Sequence, residues 1–205
     1  MTFLRNHWFD LGFGGAVITL LLTALFRGNL TPLSLVLCLN LAALFLHQFE
    51  EYRFPGYFPG MMNSVMFRSD QPDRYPLNSN TALIVNVTVG WIVYLLAAVF
   101  AEKAVWLGIA TILVSVGNFV AHTFLFNIRG KTFYNPGMAT SILLFLPLSV
   151  WFFAVVIGRN LATPWDYGIG IVLGILLNVL GILKMIDWLK DRSTTFVFAP
   201  RFVKR

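Results

Sequence analysis

Residues 33–51 read LSLVLCLNLAALFLHQFEE. From Leu33 to Phe49 the run is apolar except for a few neutral polar residues, and it ends in His47-Gln48-Phe49-Glu50-Glu51. Crossing the hydrocarbon of a bilayer takes about 20 such residues, with a range of about 17–25, so this stretch reads as a membrane-spanning helix. A charged side chain near the bilayer centre costs about 2.5–3.5 kcal/mol on insertion scales and less toward the interface. Three ionisable groups in five residues at the end of a span therefore point to a use.

The rest of the chain has the same character. Of its 205 residues, 58% are hydrophobic and 12% charged, against about 25% charged in a typical soluble domain. Five further segments are long enough to span: Trp8–Phe26, Ala82–Phe100, Ala104–Phe126, Met138–Ile157 and Ile169–Ile186. The expected fold is all-α: one integral membrane bundle of about six transmembrane helices over residues 1–205, with a long loop at 50–80 and a short basic tail at 188–205. Pro32 and Pro136 suit the first turns of the second and fifth helices. Pro147 lies mid-span in the fifth and is expected to kink it. The first span does not read as a cleaved leader: Arg5 is offset by Asp10, and no small-x-small site follows. The lone Cys38 reads as a small buried hydrophobe.

Charge sets the orientation. With the N-terminus inside, twelve of the fifteen basic residues fall on the inner side: Arg5; Arg53, Arg68 and Arg74; Arg129 and Lys131; Lys184, Lys190, Arg192, Arg201, Lys204 and Arg205. Arg27, Lys103 and Arg159 remain outside. By the positive-inside rule both termini are cytoplasmic, in what reads as a cell membrane. The net charge of +6 is scattered at helix ends. It fits anionic lipid headgroups, not nucleic acid. The expected partners are membrane lipid and a small apolar or amphipathic substrate. In the 50–80 loop, Phe54-Pro55-Gly56 and Tyr57-Phe58-Pro59-Gly60 make turns. Met61, Met62, Val65, Met66 and Phe67 follow at helical spacing, read either as a loop tucked against the bundle or as an interfacial lid.

That topology brings separate pieces to one leaflet. His47, Glu50 and Glu51 end the second helix. His122 lies near the inner end of the fourth, followed by Asn127. Tyr134-Asn135-Pro136-Gly137 opens the fifth, Asn86 lies early in the third, and His7 starts the first. Residues three and four apart share a helix face, so Asn40 lies two turns behind His47 on one stripe, and Asn118 one turn behind His122 on another. Two chemistries fit. In one, His47, His122, Glu50 and Glu51 exchange protons with a bound lipid as general acid and base, while Tyr134, Asn135, Asn118, Asn40 and Asn86 bind its polar end. In the other, His47, Glu50, Glu51 and His122 ligate a divalent metal, zinc or non-haem iron. The spacing matches neither the zincin His-Glu-x-x-His helix nor a pair of Glu-x-x-His di-iron motifs. Each residue also has a plain reading: the glutamates as a solvated helix end paired with Arg53, His47 and His122 as interhelical hydrogen-bond donors, His7 and Tyr134 as interfacial anchors. Lys184 and Asp187 are expected to pair locally.

His47-Gln48-Phe49-Glu50-Glu51, the second histidine His122 and Tyr134-Asn135-Pro136-Gly137 together resemble the HXXEE family of multi-pass membrane proteins. That family carries a His-x-x-Glu-Glu motif, another histidine and a Tyr-x-Pro-Gly motif. Tyr57-Phe58-Pro59-Gly60 fits the last pattern as well. The resemblance implies a site on these residues and supplies no substrate. The expected function is a membrane-embedded enzyme acting on a lipid or isoprenoid-like molecule by hydrolysis or acid–base isomerisation. The alternatives are a transporter or carrier, or a membrane assembly factor. A carrier usually places its site near the midplane between repeated halves, and neither is visible here.

Overall fold

The structure is a computed structural model that describes residues 2–203. These residues are 76% helical and include no strand. Among the described residues six helices are long and apolar enough to cross a membrane: α1 (Thr2–Leu25), α2 (Pro32–Tyr52), α3 (Ser79–Val99), α4 (Val105–Gly130), α5 (Met138–Gly158) and α6 (Pro164–Trp188). Each expected span matches one of them, three lying wholly inside and three overrunning an end by one residue, at Phe26, Phe100 and Ala104, and the chain is a multi-pass membrane protein.

Local chemistry sets the helix ends. Thr31 caps α2, its Oγ1 accepting from the Ser34 N–H at 3.1 Å, with Pro32 in the first turn where a missing N–H costs nothing. The Asn78 side chain accepts from the N–H groups of Asn80 and Thr81 at the start of α3. Thr163 and Asp166 form a reciprocal capping box on α6. The start of α5 departs from expectation. Pro136 precedes the first turn, because Gly137 adopts a left-handed backbone (φ 101°) and the helix begins only at Met138. Pro147 is accommodated by a π-helical turn, Ser141–Phe145, just before it. The wider turn relieves the clash its ring would make one turn back.

α2 is the axial helix, the most deeply buried of the six, and α6 is the least. Helices α1, α3 and α5 lie against α2, and α6 lies against α4. Three apolar clusters stack along the bundle. One surrounds Leu37, Ile109 and Phe152, and a middle one surrounds Leu41, Tyr94 and Phe145. The third, around Trp8, Tyr52, Met61, Phe126 and Phe198, recruits residues outside the spans. The segment after α2 forms a short helix, Phe58–Met61, continued by a π turn, Met62–Met66. Asn63 clamps it, donating to the carbonyls of Pro72 and Leu77 and accepting from the Leu77 N–H at 2.9 Å. Met61 and Met62 are buried, so this segment is tucked into the bundle end. The tail folds back over it: Phe198 and Phe202 are buried, and the Phe198 N–H donates to the Asp73 carbonyl at 2.8 Å.

Both ends of the described residues, the 53–78 segment and the α4–α5 turn therefore share one end of the bundle, the capped end. The basic residues read as inward-facing, from Arg5 to Arg201, belong to segments at that end. Lys204 and Arg205 lie outside the described residues.

Candidate functional site

At 100° per residue, consecutive side chains on a helix diverge while residues four apart align. On α2 this separates the two glutamates. His47 and Glu51 share a face, with His47 Nε2 3.6 Å from Glu51 Oε1. From α4, His122 Nε2 lies 3.3 Å from the same oxygen. The two imidazoles sit nearly perpendicular, 4.9 Å between ring centres. His122 lies in a π-helical turn, Ala121–Leu125, a feature common at functional sites. All three side chains are buried, and their ligand atoms lie within 4.8 Å of one another, a group able to hold a metal ion.

The outward nitrogens are fixed from the α4–α5 turn and α5. His122 Nδ1 lies 2.7 Å from Asn135 Oδ1. Asn135 uses its amide N–H groups on the His122 carbonyl and on Asn127 Oδ1, so its oxygen accepts and His122 Nδ1 donates. His47 Nδ1 lies 2.9 Å from Thr140 Oγ1. The Thr140 hydroxyl donates to Glu50 Oε2 at 2.6 Å, so here too the imidazole Nδ1–H donates. Gly137 makes the close approach possible. A Cβ there would lie 2.8 Å from His47 Cε1 and closer still to His122.

Glu50 faces away from this group. Its Oε1 accepts from the Tyr134 hydroxyl at 2.8 Å and the Ala139 N–H at 3.1 Å. Its Oε2 accepts from the N–H and hydroxyl of Thr140. The carboxylate thus caps the first turn of α5, where Gly137 has no side chain to do so and where a negative charge is favoured. Burial, and next the Glu50 carboxylate, hold the Tyr134 phenol above its usual pKa, so it stays a donor.

A narrow, mostly apolar pocket with a cavity volume of about 80 Å³ ends at this site. Leu44, Val85, Val89, Val114 and Ile182 line its walls, and His47, Gln48, Glu51, Tyr52, Asn86 and Asn118 supply its polar atoms. Gln48 bridges Asn86 and Trp91: its Nε2 donates to Asn86 Oδ1 at 3.0 Å and its Oε1 accepts from Trp91 Nε1 at 2.7 Å. Asn40 is elsewhere, accepting from the Ser115 hydroxyl, which also meets Tyr94, in the middle of the bundle. His7 pairs with Asp10 at 2.9 Å, and Arg53 bonds Asp10 at 3.2 Å instead of either glutamate. Lys184 and Asp187 pair locally at 3.2 Å.

Of the two Tyr-x-Pro-Gly copies, 134–137 holds the site through Tyr134, Asn135 and Gly137. In the other, Phe58 places its ring 5.5 Å from that of His122, and Gly60 packs on the backbone of Phe202 and Val203. Sequence reasoning missed Thr140 and Gln48. Thr140 had one signal, a hydroxyl three residues after Gly137 on the turn the motif opens. Gln48 had none beyond its place inside the motif.

A family model described as "Protein of unknown function with HXXEE motif" matches residues 38–152, more than half of the chain and a stretch that includes every residue of the His47–Glu51–His122 group and its supports. No curated protein and no solved structure matches.

Proposed function

The chain belongs to the HXXEE family, whose function is unknown, and from the geometry of its site we propose a membrane-embedded enzyme. It acts on a lipid or isoprenoid-like molecule. The molecule's apolar part lies in the pocket between α2, α3, α4 and α6, and its reactive polar group meets His47, Glu51 and His122. There it undergoes hydrolysis or acid–base isomerisation.

One observation carries the reading: a buried carboxylate and imidazole, Glu51 and His47, close the polar end of an otherwise apolar pocket. Ligand pockets have this composition, mostly apolar with a few convergent polar groups. Ionisable groups inside a membrane bundle are costly unless used. Glu51, His47 and His122 are the groups that take, give or polarise. Asn86 and Asn118 offer polar contacts along the pocket wall, while Tyr134 and Asn135 keep α5 and His122 in place. The excess of basic residues at the capped end supports a cytoplasmic site that draws its substrate from the inner leaflet.

The test is genetic and chemical together. In the source organism, the chromosomal copy is replaced by Glu51→Gln and by a deletion, and membrane lipids are profiled by mass spectrometry. Both strains should accumulate the same lipid-soluble species relative to wild type. A deletion strain whose lipids match wild type, or full complementation by Glu51→Gln, would overturn the enzyme reading and favour a carrier or an assembly factor.

A further inference from the structure

The orientation of the two imidazoles has a consequence for what lies between them. Both Nδ1 atoms are committed as donors, to Thr140 and to Asn135. In a neutral imidazole the other nitrogen is then a bare acceptor. His47 Nε2 and His122 Nε2 are both buried, and neither has a hydrogen-bond partner among the described residues. Both are turned toward Glu51 Oε1, at 3.6 and 3.3 Å, and that carboxylate is itself acceptor-only when ionised. Three lone-pair-bearing atoms converge with no donor among them. Buried polar groups without partners are rare, because each costs its full desolvation penalty. A cation at the point of convergence removes that cost for all three at once.

We infer that His47 Nε2, His122 Nε2 and Glu51 bind one divalent transition-metal ion, with zinc the best fit. The inference shares its site with the enzyme reading but stands on the donor geometry alone. Tetrahedral zinc with ligands at about 2.0–2.1 Å places neighbouring donor atoms about 3.3 Å apart. The two nitrogen–oxygen separations, 3.3 and 3.6 Å, are close to this value, and the three ligand atoms, all within 4.8 Å of one another, draw together to reach it. Two neutral imidazoles and one carboxylate form a neutral-to-anionic set suited to a divalent ion, and three protein ligands leave a further position open, as catalytic zinc sites do. That position borders the pocket, which His47 and Glu51 also line.

The surroundings match what holds a metal site in register. A metal-ligating histidine almost always donates its other N–H to a fixed acceptor, and here both do. His47 is oriented by Thr140, which Glu50 holds in turn. His122 is oriented by Asn135, which its own backbone carbonyl and Asn127 hold. Glu50 is thus a positioning residue for the ion and not a ligand. His7 lies outside the group, bound to Asp10.

The full-length protein, purified in detergent without chelator, is analysed for metals by mass spectrometry. It is then stripped and titrated with Zn²⁺, and separately with Co²⁺ followed by visible absorption. One ion per chain is expected, with the intense d–d bands of tetrahedral cobalt. Glu51→Gln and His122→Gln should each abolish stoichiometric binding, while His7→Asn should retain it. Thr140→Val, which removes the acceptor for the His47 Nδ1–H, should weaken affinity about 10–100-fold. Circular dichroism and monodispersity of each variant separate lost ligands from lost folding. Absence of binding in the folded wild type, or binding unchanged in folded Glu51→Gln and His122→Gln, would overturn the proposal and leave a shared proton between the three groups. Failure of the metal leaves the enzyme reading standing if Glu51→Gln still alters the lipid profile. A bound metal with an unaltered profile refutes the enzyme and keeps the ion.

Discussion

Replacing Glu50 by glutamine leaves one carbonyl oxygen where four donors now meet two. The better placement keeps that oxygen on the N–H and hydroxyl of Thr140, the two shorter contacts to the backbone and side chain of α5. The new NH₂ group then faces Tyr134 and the Ala139 N–H. The half-exposed Tyr134 hydroxyl can turn to accept from it, but the Ala139 N–H is left facing another donor. One unsatisfied buried N–H costs about 1–3 kcal/mol. Losing the charge at the N-terminus of α5 adds about 0.3–1 kcal/mol. Glu50→Gln should therefore destabilise the bundle by about 2–4 kcal/mol, once the smaller loss of charge assistance at Thr140 is included. Glu51→Gln should behave in the opposite way. In chelator its amide supplies a donor to an imidazole Nε2 that has none, so stability should stay within about 1 kcal/mol of wild type or rise. The assay is SDS titration of the protein in mixed micelles, followed by tryptophan fluorescence from Trp8 and Trp91 near the site. A larger loss in Glu51→Gln than in Glu50→Gln would refute the division of labour between the two carboxylates.

Gly137→Ala places a Cβ against both imidazoles on a left-handed backbone, and strain of about 1–2 kcal/mol plus overpacking of about 1–3 kcal/mol should appear in the same unfolding titration, with Gly56→Ala as a remote left-handed comparison. The raised pKa of Tyr134 means that its contribution to stability is complete below its unfolded value of about 10 and is lost as pH rises through the higher folded value; the gap in melting temperature between wild type and Tyr134→Phe should therefore be constant through neutral pH and close only in alkali. With Cys38 removed, cysteines at Asn29 and Gly158 should react with an impermeant reagent from outside the cell, and protection of both would reverse the topology inferred from charge.

The spans were legible because hydrocarbon thickness and hydropathy act on each segment alone; Leu33–Phe49 needs no neighbour to be read as a helix. The pairing of His47 with Glu51 was legible for the same reason, since it depends only on helical pitch. What crosses between helices was not. Asn40 shares the His47 stripe, yet seven residues at 1.5 Å each put it about 10 Å down the axis, where Ser115 takes it up. Glu50 reads as a partner of the histidines until the start of α5 is placed beside it. Thr140 is one hydroxyl among many until the register of α5 against α2 puts it between Glu50 and His47. The tail reads as a solvated basic end because Phe198 and Phe202 are too few to mark a core; only the fold-back over the 53–78 segment shows that they close one.

The spacing His-x-x-Glu-Glu follows from these contacts. The fifth residue must align with the first to bring Glu51 and His47 to one point. The fourth, turned 100° aside, must reach the neighbouring helix. A motif with only the last glutamate would bring Glu51 beside His47 but leave α5 uncapped and Thr140 unheld, so His47 could turn its Nδ1–H elsewhere. A motif with only the first would cap α5 and leave both Nε2 atoms facing nothing. Glu50 and Glu51 are therefore coupled through Thr140 and His47, four groups joined in one chain of contacts of 2.6, 2.9 and 3.6 Å. A double-mutant cycle on metal affinity should report it: Thr140→Val and Glu50→Gln should be far from additive, because each breaks the same tether on the same imidazole. Additive losses would mean that His47 is oriented by something other than the α5 turn.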